Sequence, residues 1–181
     1  HTRRQTQVLI VIGAGQAGAE LAVQAREAGW TGRIVLVGDE RGLPYQRPPL
    51  SKAYLAGQVK ADALALKARA AYDKAGVELM TSRRVTAVDR ASHRVEIDGA
   101  PALEYTRLAF ATGGRPRRLP AAKGGADQAA NFHYLRTLAD VDRIRQQFVP
   151  GATLAVVGGG YVGLEVAAVA IKHGLRVTVL E

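Results

Sequence analysis

Two short runs of glycine carry the chemistry open to this sequence. Gly13, Gly15 and Gly18 form one G-x-G-x-x-G pattern, and Gly158, Gly160 and Gly163 form another. In such a pattern the first glycine permits a tight turn from strand to helix, and the second leaves room for a pyrophosphate. The third lets helix and strand pack closely. The helix that follows offers unpaired N–H groups and the positive end of its dipole to phosphate oxygens. An acidic residue at the tip of the next strand accepts hydrogen bonds from an adenosine ribose. Asp39 follows Gly18, and Glu181 follows Gly163, at close to the ~20 residues this arrangement expects. No G-K-[ST] follows either turn, so a P-loop NTPase is not supported.

Each pattern needs a strand before it and a helix and strand after it. The apolar run Val8–Ile12 reads as a strand buried on both faces. Glu20–Ala28 reads as a helix closed by Gly29, and Arg33–Gly38 as a second buried strand ending at Asp39. That is a β-α-β unit, whose crossover implies a parallel pair. The pattern then repeats, with a strand at Thr153–Val157, a helix at Leu164–His173 and a strand at Leu175–Glu181. Gly13, Gly15, Gly18, Glu20 and Gly29 fall without a gap on Gly158, Gly160, Gly163, Glu165 and Gly174. A lone glycine pattern is weak, because such turns also arise for structural reasons. Two, each fully flanked, point to two dinucleotide sites: FAD in one and a nicotinamide in the other. Glu181, as the counterpart of Asp39, favours NADH. A carboxylate accepts from a 2′-hydroxyl and repels a 2′-phosphate, and a charge-assisted hydrogen bond is worth ~1.5–3 kcal/mol.

Between the repeats, the prolines of Leu43–Leu50 argue against helix. Ser51 is placed to cap a short helix over Lys52–Ala56, and a further helix is expected over Lys67–Lys74, stopped by Gly76. From Val77 to Ile97 the pattern turns to alternation, the mark of a small antiparallel insertion with one wet face. Arg107–Ala111 returns to a buried strand running into T-G-G-R-P, residues 114–131 read as a linker, and a helix is expected over Leu138–Phe148.

Composition bounds the partners. The 181 residues are 48% apolar with mixed charges, as in a soluble globular protein, and no apolar run approaches the ~20 residues of a membrane helix. The chain has no cysteine, which excludes disulfides, thiolate metal sites and a redox thiol in this stretch and fits a cytoplasmic setting. The histidines (His1, His93, His133, His173) lack metal-ligand spacing, so no metal is expected. The net charge of +9 favours acidic partners. Its basic groups (Arg3 and Arg4; Arg83 and Arg84; Arg115, Arg117 and Arg118) lack interleaved aromatics. A solvated surface or a protein-docking face is therefore favoured over nucleic acid.

Several stretches together carry a family resemblance: G-W at Gly29, L-V-G-D from Leu36, P-P-L-S-K-A-Y-L-A-G from Pro48, A-T-G-G-R-P from Ala111, Y-L-R-T-L from Tyr134 and V-G-G-G-Y-V-G-L-E-V-A-A from Val157. From about Val8 to Glu181 the chain resembles the FAD-dependent reductases that pass electrons from NADH to [2Fe–2S] ferredoxins feeding a cytochrome P450 or dioxygenase. The implied fold is α/β, with two Rossmann-type dinucleotide-binding units in a glutathione-reductase-like arrangement and a small antiparallel insertion. Residues 1–118 would be the FAD-binding domain, with the insertion at about 77–104. Residues 119–181 would begin the NAD-binding domain, truncated after its second strand. The resemblance places FAD at Gly13, Gly15, Ala17 and Gly18, at Asp39, Arg47, Lys52 and Val85, and at Ala111, Thr112, Gly113 and Arg136. It places NADH at Gly158, Gly160, Tyr161, Val162, Gly163 and Glu181.

On spacing alone Lys52 reads as an ordinary exposed lysine. The resemblance makes it a catalytic residue that stabilises negative charge on the flavin ring. Glu165 reads as a helix cap or salt-bridge partner, or, by resemblance, as a second catalytic residue near Lys52 and the nicotinamide. Tyr161 reads as packing or as an aromatic lid over the nicotinamide. The implied partner is an acidic [2Fe–2S] ferredoxin, with no membrane. The rival reading is a redox-sensing, nucleic-acid-binding flavoprotein like the apoptosis-inducing flavoproteins, which share R-P-P-L-S-K. Reductases of this type are longer, so this stretch alone is expected to bind FAD weakly and turn over little NADH.

Overall fold

The computed structural model describes residues 6–119 and 129–181. The basic pair Arg3 and Arg4, and half of the expected linker, residues 120–128, lie outside the described residues. Packing divides the chain into two units. One holds the residues up to Tyr45 together with Ala65–Gly114, and the other holds Gln46–Leu64 together with Arg115–Glu181.

The first unit is built on a four-stranded parallel sheet in the order β3-β2-β1-β7. Its strands are β1 (Val8–Ile12), β2 (Arg33–Val37), β3 (Val77–Met80) and β7 (Arg107–Phe110). The central strands β1 and β2 are apolar throughout apart from Arg33 at the exposed start of β2, because both faces are covered. Leu9, Val11, Ile34 and Leu36 pack against Ala19, Ala22 and Val23 of α1 (Gln16–Glu27) and Tyr72 of α2 (Arg69–Lys74). Ile10, Ile12, Val35 and Val37 meet Val95 and Ile97 of a separate antiparallel sheet. That sheet comprises β4 (Val85–Asp89), β5 (Arg94–Ile97) and β6 (Ala100–Glu104).

The second unit repeats the motif on a smaller scale. β8 (Thr153–Val157) and β9 (Arg176–Leu180) pair in parallel, and α4 (Tyr161–Lys172) packs along them. α3 (Leu138–Arg145) starts with a capping box, in which Thr137 and Asp140 satisfy each other's backbone N–H groups. The helix ends three residues short of Phe148. Gln147 and Phe148 close tight turns on Ile144 and Arg145 instead.

Four expectations are corrected. Val77–Met80 pairs in parallel with β2, so the antiparallel insertion begins only at Val85. Four residues are too few for alternation to separate an edge strand of one sheet from a strand of another. Pro48–Ser51 forms a 3₁₀ turn, because prolines at its first two positions give up N–H groups that have no partner there anyway. No α-helix follows over Lys52–Ala56, where turns run to Gln58. Finally, α1 and α4 start inside the glycine patterns, so Gly18 and Gly163 lie in the first helical turn.

Candidate functional site

The two glycine turns are built alike. Gly13 donates its N–H to the Val37 carbonyl at 2.8 Å, and Gly158 donates to Leu180 at 2.7 Å, locking each turn to the end of the second strand. Both first glycines have positive φ, +106° and +115°, which side chains disfavour. A Cβ on Gly18 would run into the Gly13 carbonyl oxygen, and one on Gly163 into that of Gly158. These third glycines therefore serve the helix–strand approach. The second glycines, Gly15 and Gly160, face open space, with nothing within 4 Å of an added Cβ.

Helices α1 and α4 open on these residues with no side-chain cap and no acidic residue in the first turn. The first backbone bonds run from Ala19 to Gly15 and from Leu164 to Gly160, both at 3.0 Å. The N–H groups of residues 16–18 and 161–163, Ala17 and Val162 among them, have no intrahelical acceptor. A free N-terminus beside an empty glycine position fits a dinucleotide pyrophosphate in each unit.

The acids differ in placement. The bond from Gly13 reaches Val37 and that from Gly158 reaches Leu180, so Glu181 is the structural counterpart of Gly38, one residue before Asp39. The turns compensate reciprocally. In the first, a Cβ on Gly38 would meet the Ala14 methyl; in the second, a Cβ on Gly159, the counterpart of Ala14, would meet the Glu181 carboxylate. Each turn has room for one side chain there. Asp39 is paired with Arg84 at 3.1 Å, both more than half exposed. In the sequence Arg84 stands out only as half of a basic pair with Arg83, and nothing local marks it as the partner of Asp39. Val85 follows it at the start of β4.

Ala111, Thr112 and Gly113 follow β7, where Ala111 donates its N–H to Ile12 at 2.7 Å and its carbonyl limits the space at Gly13. That close approach brings the second strand-to-loop crossing to the first turn of the same unit.

In the second unit, Arg47 Nη1 donates to the Arg136 carbonyl at 3.0 Å, bringing two predicted residues together across the sequence. Lys52 and Glu165 also meet: Lys52 Nζ lies 3.0 Å from Glu165 Oε2 and 3.3 Å from the Pro48 carbonyl. Ser51, expected as a helix cap, instead donates its hydroxyl to the same Glu165 Oε2 at 2.5 Å. Those two donors, Ser51 first and then Lys52, hold the Glu165 carboxyl below its ordinary range. Tyr161 is 90% exposed at the start of α4 and stacks on nothing among the described residues. No group of three metal-ligating side chains occurs among the described residues, and no described helix is long and apolar enough to cross a membrane.

Tandem strand–turn–helix units with open phosphate positions define a protein that binds two dinucleotides. Residues 7–181 match the family model of pyridine nucleotide-disulphide oxidoreductases, and the chain belongs to that family. Membership implies FAD and NAD(H) as cofactors. The chain is 48% identical over 173 residues to putidaredoxin reductase of Pseudomonas putida, covering 96% of this chain and 41% of that one. It is 46% identical over 173 residues to rhodocoxin reductase of Rhodococcus erythropolis, covering 96% and 40%. The crystal structure of the covalent putidaredoxin reductase–putidaredoxin complex superposes with a TM-score of 0.92 at 47% identity, covering 98% of this chain and 43% of that one. The chain thus spans about two-fifths of the length of these relatives.

Proposed function

We propose that the protein is an NADH-dependent reductase of a [2Fe–2S] ferredoxin that supplies a cytochrome P450 or dioxygenase. The observation that carries this reading is the Lys52–Glu165 pair, anchored by Ser51, which ties the Pro48–Ser51 turn to the helix of the second dinucleotide turn. The relatives' names agree: one is the ferredoxin–NAD(+) reductase component of a biphenyl dioxygenase system, and another was crystallised with putidaredoxin. The excess of 25 basic over 16 acidic residues suits an acidic ferredoxin surface.

In this reading Gly13, Gly15, Ala17 and Gly18 hold the FAD pyrophosphate, and Asp39 accepts from its ribose. Arg47, Val85, Ala111, Thr112, Gly113 and Arg136 line the remainder. Gly158, Gly160, Val162 and Gly163 hold the NADH pyrophosphate, Glu181 accepts from its ribose hydroxyls, and Tyr161 covers the nicotinamide. FAD, when bound, supplies the chemistry of taking a hydride from a nicotinamide and passing electrons on singly. Lys52 contributes a fixed positive charge, which Glu165 and the Pro48 carbonyl orient. Residues 1–118 then form the FAD-binding portion and residues 119–181 the start of the NAD-binding portion, in a cytoplasmic protein.

The test is to load the complete protein with FAD and mix it with NADH and a [2Fe–2S] ferredoxin, following the iron–sulfur absorbance. NADH-dependent bleaching, lost in Lys52→Ala, is expected. Binding of both cofactors with no ferredoxin reduction, alongside tight retention on DNA, would overturn the reading.

A further inference from the structure

Apart from Tyr54 and Tyr72, Ser51 is the one buried side chain among the described residues that carries a polar group, at 4% exposure. A buried hydroxyl needs a partner, since leaving it unmatched costs free energy. The 3₁₀ turn Pro48–Ser51 delivers it to one: Ser51 Oγ lies 2.5 Å from Glu165 Oε2, across 114 residues of sequence. Its distance to the Pro48 carbonyl, 3.5 Å, is at the outer limit of a bond, so the proton is directed at Glu165. Lys52, the next residue, reaches the same oxygen from its half-exposed side.

We propose that Ser51 is a positioning residue: its buried hydroxyl fixes the Glu165 carboxylate and so sets where the Lys52 ammonium is held. The inference rests on the roles proposed above for Lys52 and Glu165. A carboxylate gripped by lysine alone would follow a flexible four-carbon stem. A serine on a proline-stiffened turn has one short rotor, and it pins Oε2 from the buried side while the lysine meets the same oxygen from the exposed side. Because Ser51 and Lys52 are adjacent, the turn that places the hydroxyl also sets the origin of the lysine stem. The groups that bear on Glu165 are Ser51 and Lys52. On α3, which packs against the same turn, Asp142 and Arg145 are engaged with Tyr54, and Asp140 with Arg143 and the helix cap.

The experiment is NMR on the 181-residue chain, with carbon detection of the Glu165 carboxyl and nitrogen detection of the Lys52 ammonium. Glu165→Gln assigns the carboxyl signal. In the unmodified chain, a slowly exchanging Ser51 hydroxyl proton with a nuclear Overhauser contact to the Glu165 side chain is expected. Ser51→Ala should move the Glu165 titration upward and broaden the Lys52 ammonium signal into solvent exchange, whereas Ser51→Thr should keep both near their original values. A folded Ser51→Ala chain with unchanged Glu165 titration would overturn the inference. A Ser51 hydroxyl in fast exchange in the unmodified chain would do the same without any variant. These readouts need no FAD, NADH or ferredoxin. Failure of ferredoxin reduction alone would therefore count against the reductase reading and not against the role of Ser51.

Discussion

The carboxylate of Glu181 lies against the backbone of Gly159, in the space a β-carbon there would fill. In the other repeat the same space is taken by the Ala14 methyl, and the strand end opposite it is Gly38. The two turns have exchanged which side carries the side chain, and only the second thereby places a carboxylate beside its turn.

If that placement serves NADH, Gly159→Ala should displace the flexible end of Glu181 without harming the fold. The expected effect is an NADH affinity roughly tenfold weaker, compared with ten- to hundredfold for Glu181→Ala, the range of a charge-assisted hydrogen bond of ~1.5–3 kcal/mol. The two changes act through one carboxylate, so Gly159→Ala should do little more once Glu181 is alanine. Calorimetric titration of NADH into the three variants checks this. Additive losses would mean that Gly159 acts on the nucleotide directly.

The glycines of the first turn should separate by what a methyl meets. Gly18→Ala drives a Cβ into the Gly13 carbonyl, backbone against backbone, with no flexible tip to yield. A loss of about 2–3 kcal/mol in urea unfolding is expected, as for overpacking of a tight contact. Gly15→Ala meets nothing within 4 Å. It should cost about 1 kcal/mol or less, the penalty of a poorer helix cap, while filling the position proposed for the FAD pyrophosphate. FAD fluorescence quenching should therefore fail in Gly15→Ala while its unfolding midpoint stays close to the parent.

Much of this was legible because the period of the pattern and the punctuation by glycine are local signals. Val8–Ile12 and Thr153–Val157 are strands over the expected residues, since uninterrupted apolar runs suit a strand covered on both faces or packed under a helix. What escaped was set by partners remote in sequence. Val77–Met80 joins the parallel sheet because β2 offers an edge, and Ser51 turns to Glu165 instead of capping a helix. Arg84 reaches Asp39 from the segment leading into β4. The offset of Glu181 from Asp39 was hidden because the repeats differ in length between helix and second strand, where Trp30–Gly32 faces only Leu175.

Tyr54 ties the turns after Lys52 to α3. It is buried, its hydroxyl donates to Asp142 at 2.5 Å, and the Arg145 guanidinium lies over its ring, 5.3 Å from the centroid. Tyr54→Phe keeps the ring and removes the donor, so about 1–2 kcal/mol should be lost, typical of a hydrogen bond to a charged group. Burial first, and the bond to Asp142 second, raise the Tyr54 pKa. A folded value above the unfolded one means the contribution is complete below the ordinary tyrosine range near ~10 and disappears as pH rises through the folded value. Unfolding at pH 8 and at alkaline pH should show the parent converging on Tyr54→Phe only in the second case.

Arg33 and Glu78 give the opposite sign at the acid end. They face each other across β2 and β3 in a two-pronged contact, with both nitrogen–oxygen distances 2.7 Å. The arginine hydrogen bonds hold the Glu78 carboxyl below its ordinary range, outweighing the opposing effect of partial burial. A depressed folded pKa means the stabilisation is complete above the unfolded carboxylate range, near ~4.3, and is lost as pH falls through the folded value. Both side chains are about half exposed, at 41% and 51%, so water and salt screen the pair. Its worth should be that of a well-oriented surface bridge, about 0.5–1 kcal/mol. Glu78→Gln should therefore destabilise the first unit by that amount in urea at pH 7 and low salt. The difference should shrink in molar salt, where the screening length falls to ~3 Å, and vanish once the pH drops below the folded value. A Glu78→Gln deficit that persisted at low pH would mean that the side chain contributes through packing along β3, and not through its charge.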